Sequence, residues 1–222
     1  MCGRFSFVPT AHQLETSLRG ITLPAEVCFS YHIAPSERAC VITSDMPNAL
    51  QPMQWGLVPN WNPVGRASKR IINARAETLL QKPTFRDSAQ RRRCIVPADS
   101  FYEWRLQADG QRKPYRIIDA DGSLLFMAGL WEEWPDTEGP NRTFVIVTVP
   151  ASSDLSELHN RMPALLFGEA ERHRWLSANT PAQQLMSLLR PAPEGRLSWY
   201  RVSIRLNKPS FKEPSLHEPA FD

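Results

Sequence analysis

The sequence predicts one α+β domain, built mainly on antiparallel β-sheet with a few peripheral helices. Three observations carry this. β-rich apolar segments follow one another directly, separated by turn signals such as Ser44-Asp45-Met46-Pro47-Asn48 and Asp121-Gly122. Helical patterns are too few for the regular crossovers that a parallel sheet requires. A chain of 222 residues, 42% of them hydrophobic, can bury one sizeable core, and no linker, repeat or low-complexity stretch divides it.

In chain order, residues 5–8 read as a short apolar strand. Thr10-x-x-Gln13 is a capping-box pattern opening a helix with Leu14 and Leu18 on one face, ended by Gly20. Strands are expected at 31–34, 39–43 and 50–58, the last two forming a hairpin, after which Trp55-Gly56 leads into a proline-bounded loop carrying Trp61. Over 70–77 the polar residues Asn73, Arg75 and Glu77 alternate with Ala74 and Ala76, which on a strand places all three on one face. A helix over 83–92 precedes an apolar strand at 94–96. Further strands fall at 101–105, 115–118 and 124–130, with Asp121-Gly122 predicting a hairpin between the last two. The apolar, β-branched run 144–149 predicts a central strand, Ser153-Asp154 a cap for a short helix delivering His159, and Pro163 an extended Met162. Helices at 169–176 and 181–189 follow, the second opened by Thr180-Pro181 with Gln183 completing a capping box. A strand at 197–203 ends the domain, and the proline-rich tail from about 207 is expected to run extended.

The first thirty residues lack the succession of a signal peptide, and no apolar run approaches the roughly 20 residues of a membrane helix. A soluble cytoplasmic protein is expected. Cysteines 2, 28, 40 and 94 show no paired metal-ligand spacing, so free thiols and no zinc are expected. The net charge of +3 is modest, but positions 66–93 hold nine Lys/Arg against Glu77 and Asp87. That excess can attract a polyanion, although a solvated charged face is the commoner meaning.

The chemistry starts at the first residues. Removing Met1 would leave Cys2 with a free α-amine and a thiol, groups that titrate near ~8 and ~8.5 and keep a nucleophilic fraction at neutral pH. Against an aldehyde, the amine forms a Schiff base and the thiol closes a thiazolidine ring. Gly3 permits close approach of a ligand, and Arg4 offers a planar fork for a phosphate. Glu103 stands among Phe101, Tyr102 and Trp104, where burial would raise its pKa towards a general-acid role; a solvated edge-strand Glu is the alternative. His159 and His32 are the histidine candidates, since His12, His173 and His217 sit in contexts that suggest exposure. Asn73 can orient a sugar or a backbone and Arg75 can clamp a phosphate. Trp55 and Trp61 flank the basic segment, where each could stack on a base or belong to the core.

Taken together, Met1-Cys2-Gly3-Arg4-Phe5, Tyr31-His32-Ile33-Ala34-Pro35, Trp55-Gly56-Leu57-Val58-Pro59, Ile72-Asn73-Ala74-Arg75-Ala76-Glu77-Thr78, Phe101-Tyr102-Glu103-Trp104 and His159-Asn160-Arg161-Met162-Pro163 resemble the SOS response-associated peptidase family. The resemblance implies a single pseudo-barrel domain over 1–222 that senses abasic sites in single-stranded DNA and shields them as a DNA-protein crosslink through Cys2. It implies that Asn73 and Glu103 ring-open and protonate the sugar, that His159 assists proton transfer, and that Arg4 and Arg75 hold flanking phosphates. It also implies self-removal of Met1. An imine intermediate allows β-elimination, so weak lyase activity is expected as well, with no cofactor, no membrane and a monomer that joins the nucleoid when crosslinked. Two residues depart from the family pattern: His32 stands where Asn is usual, which places it among the catalytic candidates, and Ser100 where Gly is usual. Two rival functions remain: a thiol peptidase using Cys2 and His159, and a non-catalytic single-strand binding module using Arg75 and the tryptophans.

Overall fold

A computed structural model describes residues 2–59, 61–62, 70–136 and 139–220. The elements in order are β1 (Arg4–Phe7), α1 (Ala11–Ser17), β2 (Ser30–Ile33), β3 (Arg38–Thr43), β4 (Met46–Trp55), β5 (Asn73–Arg75), α2 (Pro83–Arg91), β6 (Arg93–Ala98), β7 (Ser100–Leu106), β8 (Arg112–Asp119), β9 (Leu125–Asp136), β10 (Gly139–Pro150), β11 (Arg161–Pro163), α3 (Gly168–Leu176), α4 (Ala182–Leu185) and β12 (Leu197–Arg201).

Strands β10, β4, β3, β6 and β9 form a ring that the β9–β10 pairing closes, giving a five-stranded barrel with β5 and β11 attached to β10. Pairing is mostly antiparallel, as expected, but β10 accepts both β4 and β5 in parallel. Gly129 lies where β9 is hydrogen-bonded to both β6 and β10. A Cβ there would stand 2.8 Å from Cys94 Sγ and 2.9 Å from the Val145 carbonyl oxygen, so closure needs a bare backbone at that position.

The second sheet, ordered β12-β8-β7-β1-β2, is apolar on one face and mixed on the other. Successive strand residues point to opposite faces. Phe5, Ile33, Phe101 and Ile117 accordingly belong to the main core, whereas Tyr102 packs with Val202, Leu206 and Leu216 in a second buried cluster. The outer face is thus covered by the C-terminal segment. This corrects the expectation of an extended tail: a 3-10 turn forms over Pro214–His217 and Leu216 is fully buried.

Arg93 is fully buried where a solvated basic run was the alternative expected. Its guanidinium donates to the carbonyls of Ala89 and Gln90 at the end of α2 and to those of Trp175 and Ser177 at the end of α3. Helix C-termini present unpaired carbonyls and partial negative charge, and here one cation serves two of them.

Some local signals were overridden. Asp121-Gly122 does turn the chain, with Gly122 at φ +73°, but β8 and β9 do not pair. Both edges of β8 are occupied, by β7 and β12, so β9 passes on to the barrel. Asp154 does not cap a helix; its carboxylate accepts from the Gly195 and Leu197 amides and fixes the start of β12. The expected Thr180 cap is absent too, since α4 begins after Pro181 with no side-chain cap. β5 is shorter than predicted, and Glu77 falls in a 3-10 turn. The capping box at Thr10 and Gln13 forms as the pattern predicts.

Candidate active site around Cys2

Cys2 is fully buried at the edge of the main core. Its carbonyl accepts a hydrogen bond of 2.8 Å from Asn73 Nδ2, and its Sγ lies 3.8 Å from the Arg4 carbonyl oxygen. Asn73 is set there by β10, with Asn73 opposite Ile146 and Arg75 opposite Thr148. Burial, followed by the neighbouring Glu103 charge, pushes the Cys2 thiol well above its ordinary range. That corrects the expectation of a freely ionising thiol: at neutral pH it is held protonated.

Glu103 lies opposite Tyr115 on the core-facing side of β7 and is only 5% exposed, which excludes the solvated edge-strand alternative. Burial raises the pKa of its carboxyl. His159 follows a 3-10 turn, and its Nδ1 accepts from the Arg161 amide at 3.0 Å. The neutral ring must therefore carry its proton on Nε2. Burial lowers the pKa of this imidazole, and Arg112 adds a positive charge felt by both His159 and Glu103.

Sequence reasoning missed Arg112 and Arg161. Arg161 forms a two-pronged ion pair with Glu77, holding its carboxyl below the usual range, and also donates to the Thr148 carbonyl oxygen at 2.6 Å. Its signal was present in the His-Asn-Arg-Met-Pro stretch, whose arginine needs a carboxylate; Arg112 left no signal.

Arg4 and His32 lie on the other face of the second sheet. Arg4 is opposite Tyr102, and its Nη1 lies 3.4 Å from His32 Nε2. Among the described residues no hydrogen bond joins His32 to Cys2, Asn73, Glu103 or His159, so the site splits into two groups. Arg4, Gly3, Trp104 and Asn207 line a cavity of about 330 Å³ beside the start of β1.

Trp55 is corrected from a candidate base-stacking residue to a core one. It is fully buried, packs edge-on against Phe5 at 5.1 Å, and donates from Nε1 to the Ile72 carbonyl. Trp61 is 68% exposed and Arg75 is exposed, and both remain available to a ligand. The basic run is not one surface: Arg93 is core, Arg92 pairs with Glu132, and Arg66 and Lys69 lie outside the described residues. His217, expected to be exposed, is partly buried 3.5 Å from Asp99. All four cysteines are free thiols. Among the described residues no group of three His, Cys, Asp or Glu side chains is placed to hold a metal, and no helix is long and apolar enough to cross a membrane.

The family model described as SOS response associated peptidase (SRAP) matches residues 1–209. The chain is 37% identical over 223 residues to the abasic site processing protein YoqW of Bacillus subtilis, covering 98% of this chain and 99% of that one. It is 36% identical over 183 residues to the abasic site processing protein HMCES of Gallus gallus, covering 71% of this chain and 54% of that one. A crystal structure of a protein from Bacteroides thetaiotaomicron superimposes with a TM-score of 0.87 at 28% identity, covering 99% of this chain and 100% of that one. With the family match spanning the barrel, the second sheet and every residue of the Cys2 site, the chain belongs to the SOS response associated peptidase family.

Proposed function

We propose that this chain, once freed of Met1, captures abasic sites in single-stranded DNA as a covalent crosslink through Cys2. Met1 lies outside the described residues, and its removal by the protein itself is part of the proposal. The observation that carries the reading is the pairing of buried Cys2 with Asn73 on its carbonyl and with buried Glu103. The likeness over nearly the full chain to an abasic site processing protein supports the same substrate.

The ring-opened abasic sugar presents an aldehyde. The Cys2 amine adds to its carbon and water departs, leaving an imine. The thiol then adds to the imine carbon, forming a C–S bond, while its proton ends on the ring nitrogen. The net change is loss of one water. In this order the amine attacks first, and the thiol, whose ionisation burial disfavours, closes the ring second. Glu103, with its raised pKa, supplies a proton for opening the sugar and for departure of water, and its carboxylate can later take the thiol proton. His159 presents an Nε2–H donor towards the same chemistry. Asn73 Oδ1 is buried with no partner among the described residues, leaving an acceptor for a sugar hydroxyl. Arg4 and Arg75 hold flanking phosphates, and exposed Trp61 can stack on a base. The chemistry needs no cofactor. The imine also permits β-elimination, so weak strand cleavage accompanies capture.

A denaturing gel of processed protein with abasic and intact single-stranded oligonucleotides tests this. A heat-stable shifted band with the abasic strand alone is expected. Peptide cleavage without DNA and without a band would favour the thiol peptidase, and equal native binding of both strands without a band would favour the binding module.

A further inference from the structure

We infer that the C-terminal segment from Val202 to Leu216 is a strap that orients the Arg4 guanidinium through His32, making His32 and Asn207 positioning residues for DNA binding. The inference rests on the reading that Arg4 holds a phosphate.

The strap docks on the outer face of the second sheet, where Val202, Leu206 and Leu216 are buried around Tyr102. From there it makes two polar contacts that end at Arg4. The Phe211 carbonyl lies 3.0 Å from His32 Nδ1. A carbonyl can only accept, so His32 carries its proton on Nδ1, and Nε2 is left with a lone pair. Arg4 Nη1, 3.4 Å away, can only donate. The polarity of the relay from strap to guanidinium is therefore fixed end to end, and His32 is fully buried between its two partners. On the second route, Asn207 Oδ1 accepts from Trp104 Nε1 at 2.8 Å, and the Arg4 guanidinium carbon lies 5.9 Å from the centre of that indole ring. Lys212 ties the strap to Glu37 at 2.9 Å, beside the start of β3.

Arg4 is thus gripped on one edge by His32 and along one face by Trp104, and it borders the cavity of about 330 Å³ that Asn207 also lines. Its Nε is buried with no hydrogen-bond partner among the described residues. An arginine held in this way has less freedom to lose when a phosphate arrives.

The test is equilibrium binding of an intact single-stranded oligonucleotide over a salt series, which does not depend on crosslinking, together with crosslinking rates on an abasic strand. Arg4→Ala should lower the salt slope by roughly 0.7. His32→Leu and Asn207→Ala should each weaken binding roughly three- to tenfold and lower the slope in part, with the saturated crosslinking rate unchanged in Asn207→Ala. In an Arg4→Ala background neither should weaken binding further, because both act through Arg4. His32→Gln, which can offer an N–H to Phe211 and an oxygen to Arg4, should recover affinity. Equal losses with and without Arg4, or unchanged affinity and slope in Asn207→Ala and in whichever His32 variants fold, overturn the strap. No effect of Arg4→Ala overturns it together with the phosphate role of Arg4. Absence of any crosslink by wild type would instead sink the proposed function alone.

Discussion

At Cys2 and Glu103, burial acts on two neighbouring acids in the same direction, disfavouring the charged form of each and raising both pKa values. For Glu103 the sign is definite. A folded pKa above the unfolded value means the native state binds more protons, so stability falls as pH rises from about 4.3 through the folded pKa. Glu103→Gln is therefore expected to melt higher than wild type at pH 7, while slowing crosslink formation about a hundredfold with little loss of affinity, as single-turnover rates and melting curves would show. A lower melting temperature with an unchanged rate would make Glu103 structural. Cys2→Ser keeps the amine but has no thiol to close the ring. Borohydride should trap its imine, whereas heating without borohydride should leave no adduct; a heat-stable adduct would contradict the two-step order.

At the scale of elements, the positions of strands and helices were largely legible, because periodicity and turn chemistry are local. Partners were not. Asp121-Gly122 turns as its residues dictate, yet whether the next strand pairs back depends on edges already filled by β7 and β12. Arg93 illustrates the same limit: within a run of three arginines nothing local marks the one that enters the core to collect four carbonyls. Arg93→Met should leave those helix ends unsatisfied and cost about 3 kcal/mol, measurable by denaturant unfolding. A cost below about 0.5 kcal/mol would mean that water replaces the guanidinium freely. On β5, exposed Arg75 makes a complementary case: Arg75→Ala should weaken all single strands alike and reduce the salt slope by roughly 0.7, with an unchanged slope assigning it to structure.

For the whole molecule, closure of the barrel and coverage of the second sheet set the response to acid. His32, His159 and His217 all have pKa values lowered chiefly by burial, His217 to about 4. Each folded value lies below the unfolded ~6.5, so the unfolded chain binds more protons in the interval. Their contribution is complete above pH 6.5 and is lost as pH falls through the folded values, towards about 4 for His217. The melting temperature should drop between pH 7 and pH 4.5, and less so in His217→Gln; parallel curves would place the acid sensitivity elsewhere. The candidate site was legible where motifs carried it, since Cys2 and Asn73 are joined directly and Cys2 and Glu103 electrostatically. It was not legible which of two tryptophans was core, nor that Arg4 and His32 face away from Cys2, because both follow from how two sheets stack.

The most direct test of the central claim is mass spectrometry of the peptide released from a heated crosslink, with and without a thiol-alkylating reagent. The account predicts a peptide that begins at Cys2, carries the sugar remnant minus one water, and resists alkylation because its sulfur is closed in the ring. An adduct on another residue, or one on Cys2 whose thiol still alkylates, would contradict it.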